Sequence, residues 1–216
     1  MATQKYESDV IIAGGGLAGI AAAIELLDHN CKVLVLERDT QENFGGLAKK
    51  SFGGIMFVDT PLQRKLGIRD NPELALSDWH QYADFGEKDI LPKQWAKTYV
   101  ERSRDLIYDW LTRRSIRFLP LVNWPERGLF RPGNSVPRWH IAWGTGYAIT
   151  EALLHHLESI WRKIAHVCLQ SSGGLNHPHQ QLHAECAGIH EKNGARLKTW
   201  PMAEMLHPRR DLRLGI

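Results

Sequence analysis

The sequence predicts an α/β fold that opens with a strand, a helix and a second strand and then continues into a helical insertion. Residues 10–12 are β-branched and end at a glycine cluster, which is typical of a buried strand entering a tight turn. Apolar residues recur at helical spacing over residues 18–27, and an apolar run over residues 32–36 predicts the second strand. The helix face predicted to be buried carries Ile20, Ala23, Ile24 and Leu27.

The turn between the first strand and the helix reads GGGLAG, a G-x-G-x-x-G motif in the strand–turn–helix context that this motif requires. Gly14 permits the tight turn, Gly16 lets a pyrophosphate approach the backbone, and Gly19 lets the helix pack close to the strand. The N–H groups at the helix start favour phosphate binding. The residues predicted to hold the phosphates are Gly14, Gly15, Gly16, Leu17, Ala18 and Gly19.

An acidic residue ends the second strand. Glu37 lies 23 positions after Gly14, where a carboxylate accepts hydrogen bonds from a ribose. A carboxylate there also disfavours NADP, because it repels the 2′-phosphate. We predict that Glu37 and the adjacent Arg38 contact the nucleotide.

The segment that follows the second strand favours FAD over NAD. Two glycine pairs, Gly45-Gly46 and Gly53-Gly54, bracket Ser51, whereas a simple NAD domain continues into another crossover helix. Paired glycines let backbone N–H groups closely approach a bound group. The alternatives that these residues leave open are a flexible surface loop and an NAD-dependent dehydrogenase.

Long stretches of the chain resemble the flavin dehydrogenases of the fumarate reductase/3-ketosteroid dehydrogenase superfamily. The resemblance covers residues 8–158 and rests on "GGGLAGIAAAIEL", "VLVLERD", "GGLAKKSFGGIMFVDTPLQRKLGIRDNPELALSDW", "LPKQWAKTYVERSRDLIYDWL", "RFLPLVNWPERG" and "GNSVPRWHIAWGTGYAITEALL". It implies FAD and a Rossmann-like, glutathione-reductase-type FAD-binding start with a helical cap insertion. It also implies that residues 45–54 lie along the flavin side of the cofactor, with Ser51 as a hydrogen-bond donor.

The resemblance implies three regions, and a tail without the family pattern follows them. Residues 1–60 begin the FAD-binding domain, residues 61–140 begin the helical substrate cap, and residues 141–160 return to the flavin domain through a GTG turn and a helix. Helical spacing over residues 94–111 predicts a buried stripe that includes Trp95, Tyr99, Leu106 and Trp110.

Two polar residues before the GTG turn are candidates for orienting a substrate carbonyl or carboxylate. These are Arg138 and His140, for which an ordinary surface or core-edge position is the alternative. The sequence does not identify a catalytic residue.

From about residue 161 the family pattern stops, and six of the eleven histidines lie in residues 161–216. Our hypothesis is that this tail is a frame-shifted or disordered segment, so that the fold is incomplete at its C-terminus. The alternatives are a metal-binding tail, a partner-binding tail and a small divergent subdomain.

Composition excludes several classes of protein. No window has the run of about 18 apolar residues that a membrane span needs, and there is no leader pattern. Three cysteines without CxxC spacing predict neither a zinc site nor a disulfide framework, and we expect a cytoplasmic protein. The net charge of +3 comes from scattered basic residues, which does not favour nucleic-acid binding.

The sequence therefore predicts an FAD-dependent oxidoreductase, or an N-terminal fragment of one, that acts on C–H bonds next to a carbonyl group. The expected partner is a small molecule such as a steroid or an unsaturated or keto compound. A non-catalytic nucleotide-binding remnant is the alternative from a different functional class.

Overall fold

The structure is a computed structural model that describes residues 8–39, 43–121 and 125–160, together with the backbone of four strands in residues 164–198. It divides into two compact units. The first comprises residues 1–48 and 153–216, and the second comprises residues 49–152.

The first unit opens with the predicted strand–helix–strand arrangement. Strand β1 (Val10–Ala13) leads through the glycine turn into helix α1 (Leu17–Asp28), which returns to strand β2 (Val33–Glu37). The two strands pair in parallel, so that Ala13 and Leu36 lie side by side at their carboxyl ends. The glycine turn therefore lies at the edge of the sheet where open parallel sheets bind ligands.

Helix α1 packs through the face that its apolar spacing predicts. Ile20, Ala23, Ile24 and Leu27 are all buried, as are Val33, Leu34 and Val35 of β2. Burial of each large aliphatic side chain contributes about 1.5–3 kcal/mol. This packing holds the start of α1 in a fixed position beside the strand ends.

Two further strands extend the sheet. Strand β5 (Ile164–Gln170) pairs in parallel with β2, and strand β8 (Arg196–Lys198) pairs antiparallel with β5, which gives the order β1-β2-β5-β8. Short strands β6 (Ala184–Glu185) and β7 (Gly188–Ile189) form a separate antiparallel pair. The rest of the tail, on which the frame-shift hypothesis depends, lies outside the described residues.

The second unit combines helices with a short antiparallel sheet. Strands β3 (Gly54–Met56) and β4 (Trp139–Ile141) pair with each other. Helix α6 (Thr145–Ile160) begins in this unit and ends in the first one. The other helices are α2 (Pro61–Lys65), α3 (Pro72–Ala83), α4 (Ile90–Arg102) and α5 (Asp109–Arg113).

The predicted helix over residues 94–111 is present, but its predicted buried stripe is wrong at Trp95 and Leu106, whereas Tyr99 and Trp110 are partly buried. Trp95 is 72% exposed and Leu106 is 54% exposed, whereas Ala96 and Val100 face the core. A π-helical segment over Ser103–Tyr108 joins α4 to α5 and breaks the regular 3.6-residue period. The break in period accounts for Leu106, whereas Trp95, which lies before it, is exposed because Ala96 and Val100 form the buried face of α4.

Among the described residues, no helix has both the length and the apolar character needed to cross a membrane.

Candidate functional site

The glycine turn of the first unit is shaped by close backbone contacts. Gly14 adopts a positive φ of 101° and donates its N–H to the carbonyl of Leu36 at 2.7 Å. A Cβ at Gly19 would lie 2.0 Å from the Gly14 carbonyl oxygen. The turn therefore needs glycine at the first position for its conformation and at the last position for close packing of the helix.

Gly16, the middle glycine of the motif, faces open space. It is the N-cap of α1, makes no side-chain capping bond, and no acidic residue lies in the first turn. A Cβ at Gly16 would meet no atom within 4 Å, so neither sterics nor backbone conformation of the protein itself requires glycine here. This space lies beside the partial positive charge of a helix N-terminus, where an anionic group is favoured.

The Glu37 carboxylate is hydrogen-bonded to the backbone of the glycine turn. Its side-chain Oε2 accepts a hydrogen bond from the Gly15 N–H at 2.6 Å, and Oε1 accepts one from the Asp39 N–H at 2.9 Å. The residue is only 9% exposed. A carboxylate offers about four lone-pair sites, so the two bonds leave capacity for ribose hydroxyls. The predicted ribose contact stays a prediction.

The first glycine pair after β2 lies against the glycine turn. Gly45 donates its N–H to the Gly15 carbonyl at 2.8 Å, and a Cβ at Gly46 would lie 3.3 Å from the Gly16 Cα. Both Gly45 and Gly46 adopt positive φ angles. The structure thus brings together Gly15, Gly16, Glu37, Gly45 and Gly46, which sequence analysis derived from three separate segments.

Sequence analysis missed Phe44, whose ring fills the space over the middle of the motif. A Cβ at Gly15 would lie 2.2 Å from that ring. An aromatic residue directly before a glycine pair is the signal that could have indicated this contact. The remaining candidates, Leu17, Ala18 and Arg38, lie at the helix start and the strand end, and their cofactor contacts stay predictions.

The second glycine pair belongs to the second unit and packs against the GTG turn. Gly53 has a φ of 74°, and a Cβ there would lie 2.6 Å from the Thr145 carbonyl carbon. The Ser51 carbonyl accepts a hydrogen bond from the Gly146 N–H at 3.0 Å. A Cβ at Gly54 would lie 2.6 Å from the indole nitrogen of Trp139. These contacts fix the loop that carries Ser51, Gly53 and Gly54, whose cofactor contacts stay predictions.

Arg138 does not have the substrate-orienting role that we considered for it. Its side chain is completely buried, and its guanidinium forms a bidentate pair with Asp70, with both bonds at 2.8 Å. A third bond, to Asp78, measures 2.6 Å, and a fourth reaches Asn134. The two acidic partners lie 68 and 60 positions away in sequence, so local sequence patterns give no signal for these ion pairs.

Hydrogen bonding overcomes the cost of burial in this network. Burial alone would raise the pKa of Asp78, but hydrogen bonds from Ser135 and Arg138 lower it overall. Burial likewise opposes the charge of Arg138, and the bonds to Asp70 and Asp78 raise its pKa. The network keeps its charges because each ion is paired and hydrogen-bonded.

His140 is also a buried structural residue. Its Nδ1–H donates to the Arg138 carbonyl at 2.7 Å, so Nε2 accepts a hydrogen bond from the Thr60 hydroxyl at 2.8 Å. Burial lowers the pKa of His140, although the Arg138 carbonyl and the charges of Glu126 and Asp70 oppose this shift. The neutral ring therefore joins α2 to β4 and is not available to a substrate.

The geometry of the first unit fits a dinucleotide. Open space at Gly14 and Gly16, a helix start without a side-chain cap, and a buried carboxylate at the adjacent strand end are the features that a pyrophosphate and a ribose require. Among the described residues, no group of three or more His, Cys, Asp or Glu side chains is arranged to hold a metal.

Comparisons with known proteins agree with this geometry. Residues 9–190 match the family described as FAD binding domain, which confirms the predicted resemblance and FAD as the family's cofactor. The matched range continues past residue 161, where we expected the family pattern to stop. The chain is 46% identical over 158 residues to a KsdD-like steroid dehydrogenase of Mycobacterium tuberculosis. It is 34% identical over 104 residues to a cytochrome-type fumarate reductase of Shewanella frigidimarina.

These matches cover only part of each relative. The first alignment spans 71% of this chain and 28% of the steroid dehydrogenase, and the second spans 48% of this chain and 17% of the fumarate reductase. The fold is similar to a crystal structure of a 3-ketosteroid-delta4-(5alpha)-dehydrogenase from Rhodococcus jostii in complex with 4-androstene-3,17-dione. That similarity has a TM-score of 0.59 at 24% identity and covers 90% of this chain and 44% of that one.

Replacement of Arg138 should strongly destabilise the second unit. Arg138→Met leaves the Asp70 and Asp78 carboxylates buried without their cation, so we expect a loss of about 3–5 kcal/mol in the free energy of unfolding. Urea denaturation followed by circular dichroism measures this loss. The matched control is Arg64→Met, which removes a bidentate pair with Asp59 at the surface and should leave the midpoint nearly unchanged. Equal effects of the two variants would contradict the assigned role.

The pH dependence of stability should report on His140. Because its pKa is lowered in the folded protein, the unfolded chain takes up a proton first as the pH falls below about 6.5. The free energy of unfolding should therefore decrease from about pH 6.5 downward, by at most about 1.4 kcal/mol per pH unit for this group, until the folded pKa is passed.

Comparison of His140→Asn with the exposed control His80→Asn isolates this contribution in denaturation curves between pH 5 and 7.5. We expect the first variant to show a shallower pH dependence than the parent and the second to keep the parent's slope. An unchanged slope in His140→Asn would rule out the buried neutral ring as its source.

Proposed function

The chain belongs to the FAD-binding domain family, and we propose that it holds FAD for an oxidoreductase that removes hydrogen from a C–H bond next to a carbonyl group. The observation that carries the proposal is the empty space beside Gly16 at the start of α1, with the Glu37 carboxylate fixed next to it. This is the nucleotide-binding use of a Rossmann-like strand–helix–strand unit.

Different residues of the first unit would bind different parts of the dinucleotide. The amides at the start of α1 would donate hydrogen bonds to the pyrophosphate, and the open face at Gly16 would let its oxygens come close. Glu37 would accept hydrogen bonds from the adenosine ribose through lone pairs that Gly15 and Asp39 do not use. Arg38, Gly45 and Gly46 complete the proposed set in this unit.

In the second unit, the loop that carries Ser51, Gly53 and Gly54 would serve the flavin end of the cofactor. Its position against the GTG turn makes it a rigid element, which suits a group that must orient a ring. When bound, FAD would accept the hydride. The protein would orient the substrate and polarise its carbonyl group.

The proposed substrate class is a steroid or another unsaturated or keto compound. The similarity of the chain to a steroid dehydrogenase and to a fumarate reductase supports this class. A cytoplasmic location stays a prediction that rests on cysteine usage.

A non-catalytic FAD-binding module is the second candidate, because Arg138 and His140, the two residues considered for orienting a substrate, are both completely buried. The two candidates differ in turnover. A catalyst reduces an artificial electron acceptor when 4-androstene-3,17-dione or a related ketone is added, whereas a module binds FAD without such reduction.

Addition of one methyl group at Gly16 should separate cofactor binding from folding. Gly16 has an ordinary negative φ and open space, so Gly16→Ala should change the free energy of unfolding by less than about 1 kcal/mol. The methyl group would occupy the space for the pyrophosphate and should weaken FAD binding about tenfold or more. Flavin fluorescence titration measures affinity, and the visible absorption of the desalted protein measures retention.

Two further glycine variants serve as controls. Gly86→Ala, where a Cβ makes ordinary contact at 3.5 Å, should alter neither property. Gly19→Ala should lower stability as well as binding, because its Cβ would overlap the Gly14 carbonyl oxygen. The proposal fails if the parent protein does not bind FAD, or if Gly16→Ala binds FAD as tightly as the parent.

A further inference from the structure

A cavity of about 290 Å³ lies in the second unit between α3 and the loop over residues 125–135. We refer to it as the α3 cavity. It is formed entirely within the second unit. Its volume is close to the lower limit for small-molecule pockets. Its lining includes Met56, Trp79, Tyr82, Glu126, Arg127 and Asn134.

One wall of the α3 cavity is apolar, aromatic and already fixed in place. Trp79 and Tyr82 lie three positions apart on α3, so they share a helix face. The Trp79 ring packs edge-on against Tyr99 at 5.6 Å between centroids, and the Tyr99 hydroxyl donates to the Met56 carbonyl at 2.8 Å. A flat ring compound could therefore bind against this wall without rearrangement of its side chains.

The loop that forms the opposite wall is fastened at several points. Ser135 donates its N–H and its hydroxyl to Asp78, at 2.7 and 2.5 Å. Arg131 pairs with Asp84 just beyond the end of α3. Gly128 lies so close to Tyr82 that a Cβ would be 2.6 Å from its ring. These attachments hold the cavity open as a preformed space.

The charged side chains that line the α3 cavity include one cation that a ligand can contact. The Asp78 carboxylate is bound by Ser135 and Arg138, and the Glu126 carboxylate accepts bonds from Asn134 and Trp139. Arg127 is exposed and has no hydrogen bond or ion pair within the described part of the chain. A ligand entering the cavity thus meets an apolar wall and an unpaired guanidinium at the rim.

We propose that the α3 cavity binds a small, flat, apolar compound that carries a carboxylate, with the ring against Trp79 and Tyr82 and the carboxylate paired with Arg127. This site goes beyond the proposed cofactor function and does not depend on it. A guanidinium at the rim selects an acid over its neutral ester, while the aromatic wall selects ring compounds over short acids.

The test uses 2-naphthoate as the probe and its methyl ester as the uncharged counterpart. Isothermal titration is performed on the full chain with and without excess FAD. We expect saturable binding of 2-naphthoate that Arg127→Gln weakens about fivefold, because a partly exposed ion pair contributes little more than that. Binding of the methyl ester should be the same in the parent and in this variant.

The matched control is Arg117→Gln, which removes an exposed arginine that lines a different cavity of the same unit. It should leave 2-naphthoate binding unchanged. Tyr82→Ala should weaken the acid and the ester alike, with thermal unfolding recorded to confirm that the variant is folded. The proposal is overturned if 2-naphthoate does not saturate, if Arg127→Gln and Arg117→Gln act equally, or if FAD displaces the probe.

Discussion

The hydrogen bond from the Gly15 amide to the buried Glu37 carboxylate is the contact on which the candidate cofactor site depends. It ties the turn after β1 to the end of β2, and the Gly15 carbonyl in turn accepts the Gly45 amide. Three segments of the chain thus meet at one residue. A buried carboxylate is costly unless it is hydrogen-bonded, so the two backbone donors to Glu37 both stabilise the acid and fix the turn. The open space at Gly16 has a defined shape because these neighbours cannot move independently.

In the second unit, buried charges are likewise stabilised by hydrogen bonds, here within an ion-pair network. Arg138 is buried with both of its acidic partners. Asp70 also accepts a hydrogen bond from Gln63, which extends the network to α2. Such a network joins segments that would otherwise be connected only by loops, including the loop over residues 125–135. Asp78 holds this loop beside α3 through Ser135 and also pairs with Arg138. The α3 cavity is the space that remains between the loop and α3.

Sequence predicted the first unit better than the second, for a physical reason. The glycine motif, the acid at the end of β2 and the buried face of α1 are set by local geometry, which spacing records directly. The buried role of Arg138 depends on partners 60 and 68 positions away, and no local pattern records such a contact. The exposure of Trp95 was missed because neighbouring Ala96 and Val100 pack inward instead. Phe44 was missed because its one local signal is its place directly before the Gly45-Gly46 pair, and periodic spacing does not relate it to Gly15.

The most direct test of the account is amide hydrogen–deuterium exchange, resolved by residue, with and without FAD. The account predicts that FAD slows exchange at the amides of Leu17, Ala18 and Gly19, which begin α1 without a side-chain cap. It predicts little change at Gly15, whose amide is already bonded to Glu37, and none in α3. Bound FAD that leaves the start of α1 unprotected, or protects another part of the protein instead, would contradict the assignment of the glycine turn as the pyrophosphate site.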